Sequence, residues 1–381
     1  MGYTKYKCPV RARCGGCEWL DVPYPWQLAR KRDALEQCFS QLGAGVERMV
    51  GMDDPTRYRA KIASPFAPGP RGACLHGMYA RGTHELVAVE SCLVEYDAGR
   101  PILATIARLC RTFRIAPYNE DTGAGLLRHA IVRVAHASGQ VMVTLVVNRK
   151  EFPHKKAFVA ALRDEHPAIA TVVFNVNTRN TNAILGPHYM TAWGQGWIED
   201  ELCGCTFRIP AGAFYQTNPV QTEALYNEAV SLADLQAGDV LYDAYCGIGT
   251  IGIVAARATR CALIGVESTQ AAVGIAADNA RLNRIADARF VLEDAAEPLR
   301  SAEVLPDVVI MDPPRAGASP AFLEALLAAA PRRIVYVSCN PATQVRDIEA
   351  LGAAYALEHV VGVDMFPHTS HIESVASLAH V

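Results

Sequence analysis

From Asn218 onward, short apolar runs alternate with helical stretches, and this rhythm constrains the fold of the 381-residue chain more than any other feature. DVLYDAY, CALIGVE, ARFVLED, DVVIMD and RIVYVS read as strands; TIGIVAARA, TQAAVGIAADNARLN, AFLEALLAAA and ATQVRDIEALGA read as the helices between them. Asn218-Pro219 opens the series as an N-cap followed by proline at the first helical position. Strand–helix alternation of this kind predicts an α/β, Rossmann-like, doubly wound parallel sheet.

Residues 57 to about 208 have a different, β-rich texture. LRHAIVRVAHASGQVMVTLVV predicts two strands around a Ser-Gly turn, and AFVAALRDEHP predicts a helix ended by Pro167. Ahead of them, PWQLARKRDALEQCFSQLG predicts a helix with Leu28, Leu35 and Leu42 on its repeat and Gly43 as its stop. The expected domains are therefore 1–50, a cysteine segment and helix; 51–210, a β-rich central domain; and 211–381, the α/β domain.

Composition narrows the class. With 51% hydrophobic and 20% charged residues the chain can bury a core, and it has no run of eighteen apolar residues to span a membrane. The basic N-terminal stretch lacks the apolar segment of a secretory signal, so a cytoplasmic location is expected. In that compartment the 12 cysteines suggest metal or catalysis rather than disulfides. The net charge of −3 conceals an asymmetry: residues 1–150 hold 21 Lys+Arg against 13 Asp+Glu, the remainder 15 against 26. A basic front half suits a polyanionic partner.

After the first strand of the α/β region, Gly247, Gly249 and Gly252 spell G-x-G-x-x-G, and Glu267 ends the next strand. This pattern also describes a dinucleotide site, so an NAD-dependent oxidoreductase is the rival reading. Three features favour S-adenosylmethionine, which likewise carries a ribose. Asp243 precedes the glycines, where its charge would attract a sulfonium or ammonium and repel a pyrophosphate. Glu293-Asp294 places a second acidic end where Asp294 suits an adenine amino group. Asp312-Pro313-Pro314-Arg315 follows the fourth strand and has no place in hydride transfer.

Ser338-Cys339-Asn340-Pro341 sets a cysteine at the end of a strand and the start of a helix. Ligands of open parallel sheets sit beyond the strand carboxyl ends, and a helix N-terminus is expected to lower the thiol pKa. A thiolate is useful to a methyltransferase acting on a pyrimidine, because addition to C6 makes C5 nucleophilic; a base must later remove the C5 proton. Glu373 of His371-Ile-Glu373 is a candidate for that base. The arginine of DPPR replaces the aromatic ring that stacks on the target in amino-group methylation. Cytosine-C5 enzymes typically carry a second cysteine nearby, which this chain lacks, so uracil C5 fits better. Cys8-x5-Cys14-x2-Cys17 suggests zinc or an iron–sulfur cluster, with Cys38, Cys74, Cys92 or Cys110 as the fourth ligand.

Together, CPVRARCGGC, RYRAKI, LLRHAIVR, AFYQTN, DAYCGIGTIG, GVES, MDPPR, YVSCNPAT and VDMFPHTSHIESV resemble the RNA 5-methyluridine methyltransferase family over nearly the whole chain. The resemblance implies Cys339 as nucleophile, Glu373 as base, and Gln216, Tyr245, Glu267 and Asp312 as contacts to S-adenosylmethionine. It also implies a [4Fe–4S] cluster with Cys92 as fourth ligand. A cluster without the family's additional TRAM β-barrel is similar to the 23S ribosomal RNA branch; the transfer-RNA branch is the alternative. RNA is then the partner, through an unpaired or flipped uridine, with Arg57, Arg59, Lys61, Arg128 and Arg133 as phosphate-contact candidates. No membrane or obligate protein partner is expected.

Overall fold

The computed structural model describes residues 6–301 and 305–381. The chain divides into two compact units. The first takes residues up to Asp21 with Thr56–Asp200 and Arg208–Gly212; the second takes Val22–Pro55, Glu201–Phe207 and Ala213–Val381. A hairpin, Trp197–Leu202 with Cys205–Pro210, lies where the chain changes unit. Among the described residues no helix is long and apolar enough to cross a membrane.

The second unit is built on an eight-stranded sheet. Its spatial order is 48–50, 355–363, 373–380, 333–338, 308–311, 240–244, 262–267 and 288–292. Strands 240–244, 262–267, 288–292, 308–311 and 333–338 run parallel, as the alternation predicts. Strand Glu373–His380 is inserted antiparallel between 333–338 and 355–363. The order of connection reverses between 240–244 and 308–311. At such a switch point the loops leaving neighbouring strands diverge and open a crevice at the carboxyl edge. Tyr242, Met311, Tyr336 and Phe322 fill the core beneath it.

The helix Tyr24–Phe39 belongs to this unit, followed by a 3-10 turn through Leu42 and a left-handed Gly43 at φ 67°. Its buried stripe is Gln27, Lys31, Leu35 and Phe39, not the predicted Leu28, Leu35 and Leu42. Two polar residues occupy the covered face because Asp364, Phe366 and His368 supply partners there. Asn218 caps the helix Pro219–Ala233 by accepting from the Gln221 N–H at 3.2 Å, as its sequence predicts.

The first unit holds a seven-stranded sheet in the order 86–88, 74–79, 61–68, 127–134, 141–147, 169–176 and 188–193. It is antiparallel apart from 141–147 with 169–176, which the helix Lys155–Glu165 connects as a crossover. Strands 127–134 and 141–147 lie in the middle of the sheet and are buried throughout. Leu103, Ile106, Val132, Val143, Phe158 and Phe174 form the core.

Candidate functional site

The carboxyl edge of the second unit's sheet opens into a cavity of about 670 Å³, within the range of small-molecule sites. Gln216, Tyr245, Gly247, Glu267, Asp294, Asp312, Cys339 and Glu373 all line it. Residues from five parallel strand ends and from the start of the inserted strand thus meet at one mouth.

The glycine loop shapes one wall. Tyr245, Gly247 and Gly249 have φ of 63°, 56° and 83°, left-handed backbone that glycine adopts without strain. The Tyr245 ring is braced edge-on by Phe322 at 5.5 Å. Glu267 accepts from the Gly247 N–H at 3.2 Å and from the Thr269 N–H at 2.8 Å, so strand end and loop fix each other. Asp294 accepts from the Ala296 N–H at 3.0 Å.

Asp243 takes a different part from the one its sequence suggests. It is buried outside the cavity lining and accepts from the Gly252 N–H at 2.9 Å. A Cβ on Gly252 would lie 2.6 Å from Asp243 Oδ2 and 2.6 Å from Leu263 Cδ1. The last glycine of the motif therefore lets helix and strand approach, and Asp243 anchors the helix start rather than facing a ligand's cation.

Cys339 is half-buried at the end of strand 333–338. Its neighbour Ser338 pairs with Ser374 across the antiparallel ladder, which brings Glu373 to the same edge. The expected lowering of the thiol pKa is not found: burial pushes Cys339 up, Glu373 and Asp312 add to it, and Arg315 opposes them by hydrogen bond and charge. Asn340 does not cap its helix with its side chain but donates to the Arg315 carbonyl at 3.0 Å, tying the DPPR turn to the cysteine turn. Glu373, 5% exposed, is pushed up to about 8 by burial and then by Asp312, against Arg315. Burial also pushes Asp312 and Asp243 up to about 7.

Phe214, Phe366 and His371 also line the cavity, beyond the residues the sequence points to, and Arg315, which the sequence marks only by the lack of a stacking ring, lines it as well. Phe214 is 72% exposed. Its signal lies in AFYQTN, where Phe214 and Gln216 flank the buried Tyr215 and both line the cavity.

In the first unit Cys8, Cys14, Cys17 and Cys92 line a separate cavity of about 50 Å³. Of the four possible fourth partners, the structure thus places Cys92 with the front three. Cys110 is buried in the core with Cys74 packed against it, and Cys38 packs in the second unit. Gly16 N–H points at Cys14 Sγ at 3.4 Å. Burial pushes the Cys17 thiol up to about 12, with Cys92, Cys14 and Cys8 adding and Arg59 opposing. Among the described residues no three His, Cys, Asp or Glu side chains are grouped to hold a single metal ion.

The phosphate-contact candidates fare unevenly. Arg128 and Arg133 are only 3% and 4% exposed, because their strand is central in the sheet. Arg128 donates to the Asn177 and Arg179 carbonyls at 2.9 and 2.7 Å and lies over the Tyr118 ring. Neither presents its charge to an external strand. Lys61 is lowered to about 8 by burial and by Arg133, Arg59 lines the cysteine cavity, and Arg57 is exposed beside Asp97.

Known proteins resemble this arrangement along almost the full length. The profile of the tRNA (uracil-5-)-methyltransferase family matches residues 23–381. An uncharacterized RNA methyltransferase of Staphylococcus aureus (strain COL) is 36% identical over 376 residues, 97% of this chain and 83% of that protein. One of Clostridium acetobutylicum is 35% identical, covering 99% and 84%. The crystal structure of Pyrococcus abyssi tRNA (uracil-54, C5)-methyltransferase with S-adenosyl-L-homocysteine superposes with a TM-score of 0.80 at 27% identity, covering 98% of this chain and 87% of that one. The Rossmann-like half is accordingly a methyltransferase fold rather than a nicotinamide-dependent one, and the chain belongs to the RNA uracil-5 methyltransferase family.

Proposed function

We propose that this protein uses S-adenosylmethionine to methylate C5 of a uridine in 23S ribosomal RNA, with Cys339 as nucleophile and Glu373 as base. The observation that carries the reading is the convergence of Cys339 and Glu373 on one acidic cavity, held there by adjacent antiparallel strands. The cavity fits the donor: Glu267 and Asp294 line it with acidic groups toward a cationic ligand, and Glu267 would be an acceptor for ribose hydroxyls. When bound, S-adenosylmethionine supplies an electrophilic methyl group. The Pyrococcus relative binds S-adenosyl-L-homocysteine, the donor left after such a transfer, which supports the assignment.

The chain's own residues then act in sequence. Arg315 favours the thiolate of Cys339, whose sulfur forms a bond to C6 as the ring's π electrons move toward the C4 carbonyl oxygen. C5, now enolate-like, takes the methyl group. Ionised Glu373 accepts the C5 proton, the C6–sulfur bond breaks, and the ring double bond returns with the thiolate released. The target base must leave its stack to reach the cavity; Phe214, exposed at the mouth, offers it an aromatic face.

Cys8, Cys14, Cys17 and Cys92 fit a [4Fe–4S] cluster by donor set, being four thiols round one cavity with Leu20, Met78 and Val89 as apolar walls. The ribosomal assignment rests on this thiol set; transfer RNA, named for the Pyrococcus relative, is the competing substrate. Both parts are tested by incubating purified protein and labelled donor with unmodified ribosomal and transfer RNA and mapping 5-methyluridine. Cys339→Ala should abolish transfer, and Glu373→Gln should trap a covalent protein–RNA adduct. Normal turnover in either variant would overturn the mechanism, and methylation of transfer RNA alone would overturn the substrate.

A further inference from the structure

The turn that delivers Glu373 is built against the helix Tyr24–Phe39, more than three hundred residues earlier in the chain. Lys31, wholly buried, donates to Asp364 Oδ1 at 2.6 Å and to the Phe366 carbonyl at 3.1 Å. Tyr24 Oη donates to Asp364 Oδ2 at 2.8 Å. Gln27 grips His368 twice: its Oε1 accepts from the His368 backbone N–H at 2.8 Å, and its Nε2 lies 3.1 Å from His368 Nδ1. Because His368 Nε2 faces the Pro55 carbonyl at 3.1 Å, the proton belongs on Nε2 and Nδ1 accepts from Gln27.

These bonds lead to the cavity step by step. The Phe366 carbonyl held by Lys31 also accepts from Thr369 Oγ1 at 2.7 Å. Thr369 Oγ1 accepts in turn from the His371 N–H at 3.3 Å, and His371 precedes Glu373 by two residues. His368 sits at φ 66°, a backbone state unfavourable for a residue with a Cβ, and the grip of Gln27 offsets it. Phe366, His371 and Glu373, the cavity residues of this segment, therefore depend on a template supplied by the early helix.

We propose that Lys31 and Gln27 are positioning residues for the methyl transfer: they hold the turn 364–372 so that the Glu373 carboxylate reaches the C5 proton. The proposal rests on the reading of Glu373 as the base. A misplacement of about 1 Å at a reacting group lowers rate about 100-fold, so proton removal should slow while Cys339 addition and donor binding persist.

The test compares Gln27→Leu, Lys31→Met and the double variant Lys31→Met/Asp364→Leu with the parent and with Glu373→Gln, using the RNA that the protein methylates. The double variant replaces a buried ion pair by apolar groups, a change proteins tolerate far better than loss of one partner, so it covers the case in which Lys31→Met fails to fold. In Gln27→Leu and the double variant we expect kcat to drop about 100-fold, KM to move little, S-adenosylhomocysteine to bind as in the parent, and covalent RNA adduct to accumulate. Parental kcat without adduct in both variants, while Glu373→Gln does accumulate it, would overturn the positioning role alone. Failure of Glu373→Gln to accumulate adduct would overturn the assignment of the base itself.

Discussion

Arg315 Nη2 stands 3.0 Å from His371 Nδ1, so the DPPR turn and the segment leading to Glu373 are joined by a hydrogen bond at the rim of the cavity that Cys339 lines. With its carbonyl held by Asn340, Arg315 is fixed at both ends, and its charge acts against the burial that raises the Cys339 thiol. Replacing Arg315 by Met should therefore slow alkylation of Cys339 near neutral pH and shift its pH profile upward, with Lys restoring part of the rate. Mass spectrometry of the Cys339 peptide after timed iodoacetamide treatment measures this; an unchanged profile would remove Arg315 from thiol activation.

Activity should rise toward alkaline pH. A base must be ionised to act, and Glu373 is held up to about 8, so where proton removal limits the single turnover its rate should climb close to tenfold per pH unit below that value. A flat profile from about pH 6 to 9 under rate-limiting chemistry would contradict the assigned environment of Glu373.

Stability should respond to pH with the opposite sign. Asp312 moves from its ordinary 3.8 to about 7 in the folded chain, so the folded state holds a proton that the unfolded state has lost across that window. Its contribution is fully present below about 3.8 and is lost as pH rises through about 7. Asp312→Asn should consequently gain on the parent by about 1 kcal/mol or more at pH 8 relative to pH 5. Equal differences in melting temperature at the two pH values would argue against a desolvated, proton-binding Asp312.

Gly252→Ala tests packing under the glycine loop. Its methyl group would meet Asp243 Oδ2 and Leu263 Cδ1 at 2.6 Å, and overpacking of this kind costs about 1–3 kcal/mol. Urea unfolding should show that loss together with weaker donor binding; parental stability would mean that strand and helix separate more easily than their contacts suggest.

Cys17→Ser addresses the thiol cavity. Anaerobically purified parent protein should be brown with iron and sulfide in near-equal amounts, and the variant pale. Colourless parent protein containing zinc would replace the cluster with a single-ion site.

The α/β half was readable because its information is local. Glycine spacing, Asn-Pro helix starts at 218–219 and 340–341, and apolar strand runs each declare themselves within ten residues. Glu267, Asp294, Asp312, Cys339 and Glu373 sit at such boundaries and are legible there before their meeting in one cavity is visible, whereas Gln216 follows only from the family resemblance. What stayed hidden depends on distant partners. Arg128 and Arg133 read as available charge until the strand order put their strand in mid-sheet. Nothing near Lys31 in the sequence shows Asp364, the distant partner that lets it be buried. The thiol of Cys339 departs from the expected direction because burial and then Glu373 outweigh Arg315, a balance no single segment contains.

The reversed final strand has one more implication. A parallel strand beside 333–338 would present its last residue where sulfur emerges, but Glu373–His380 presents its first. Carboxyl and sulfur are thus spaced by the peptide ladder itself, with Ser338 opposite Ser374 as the rung that sets the gap. Sliding that rung by a single residue would turn the acid to the sheet's other side, so the chemistry is written in strand alignment as much as in the identity of either group.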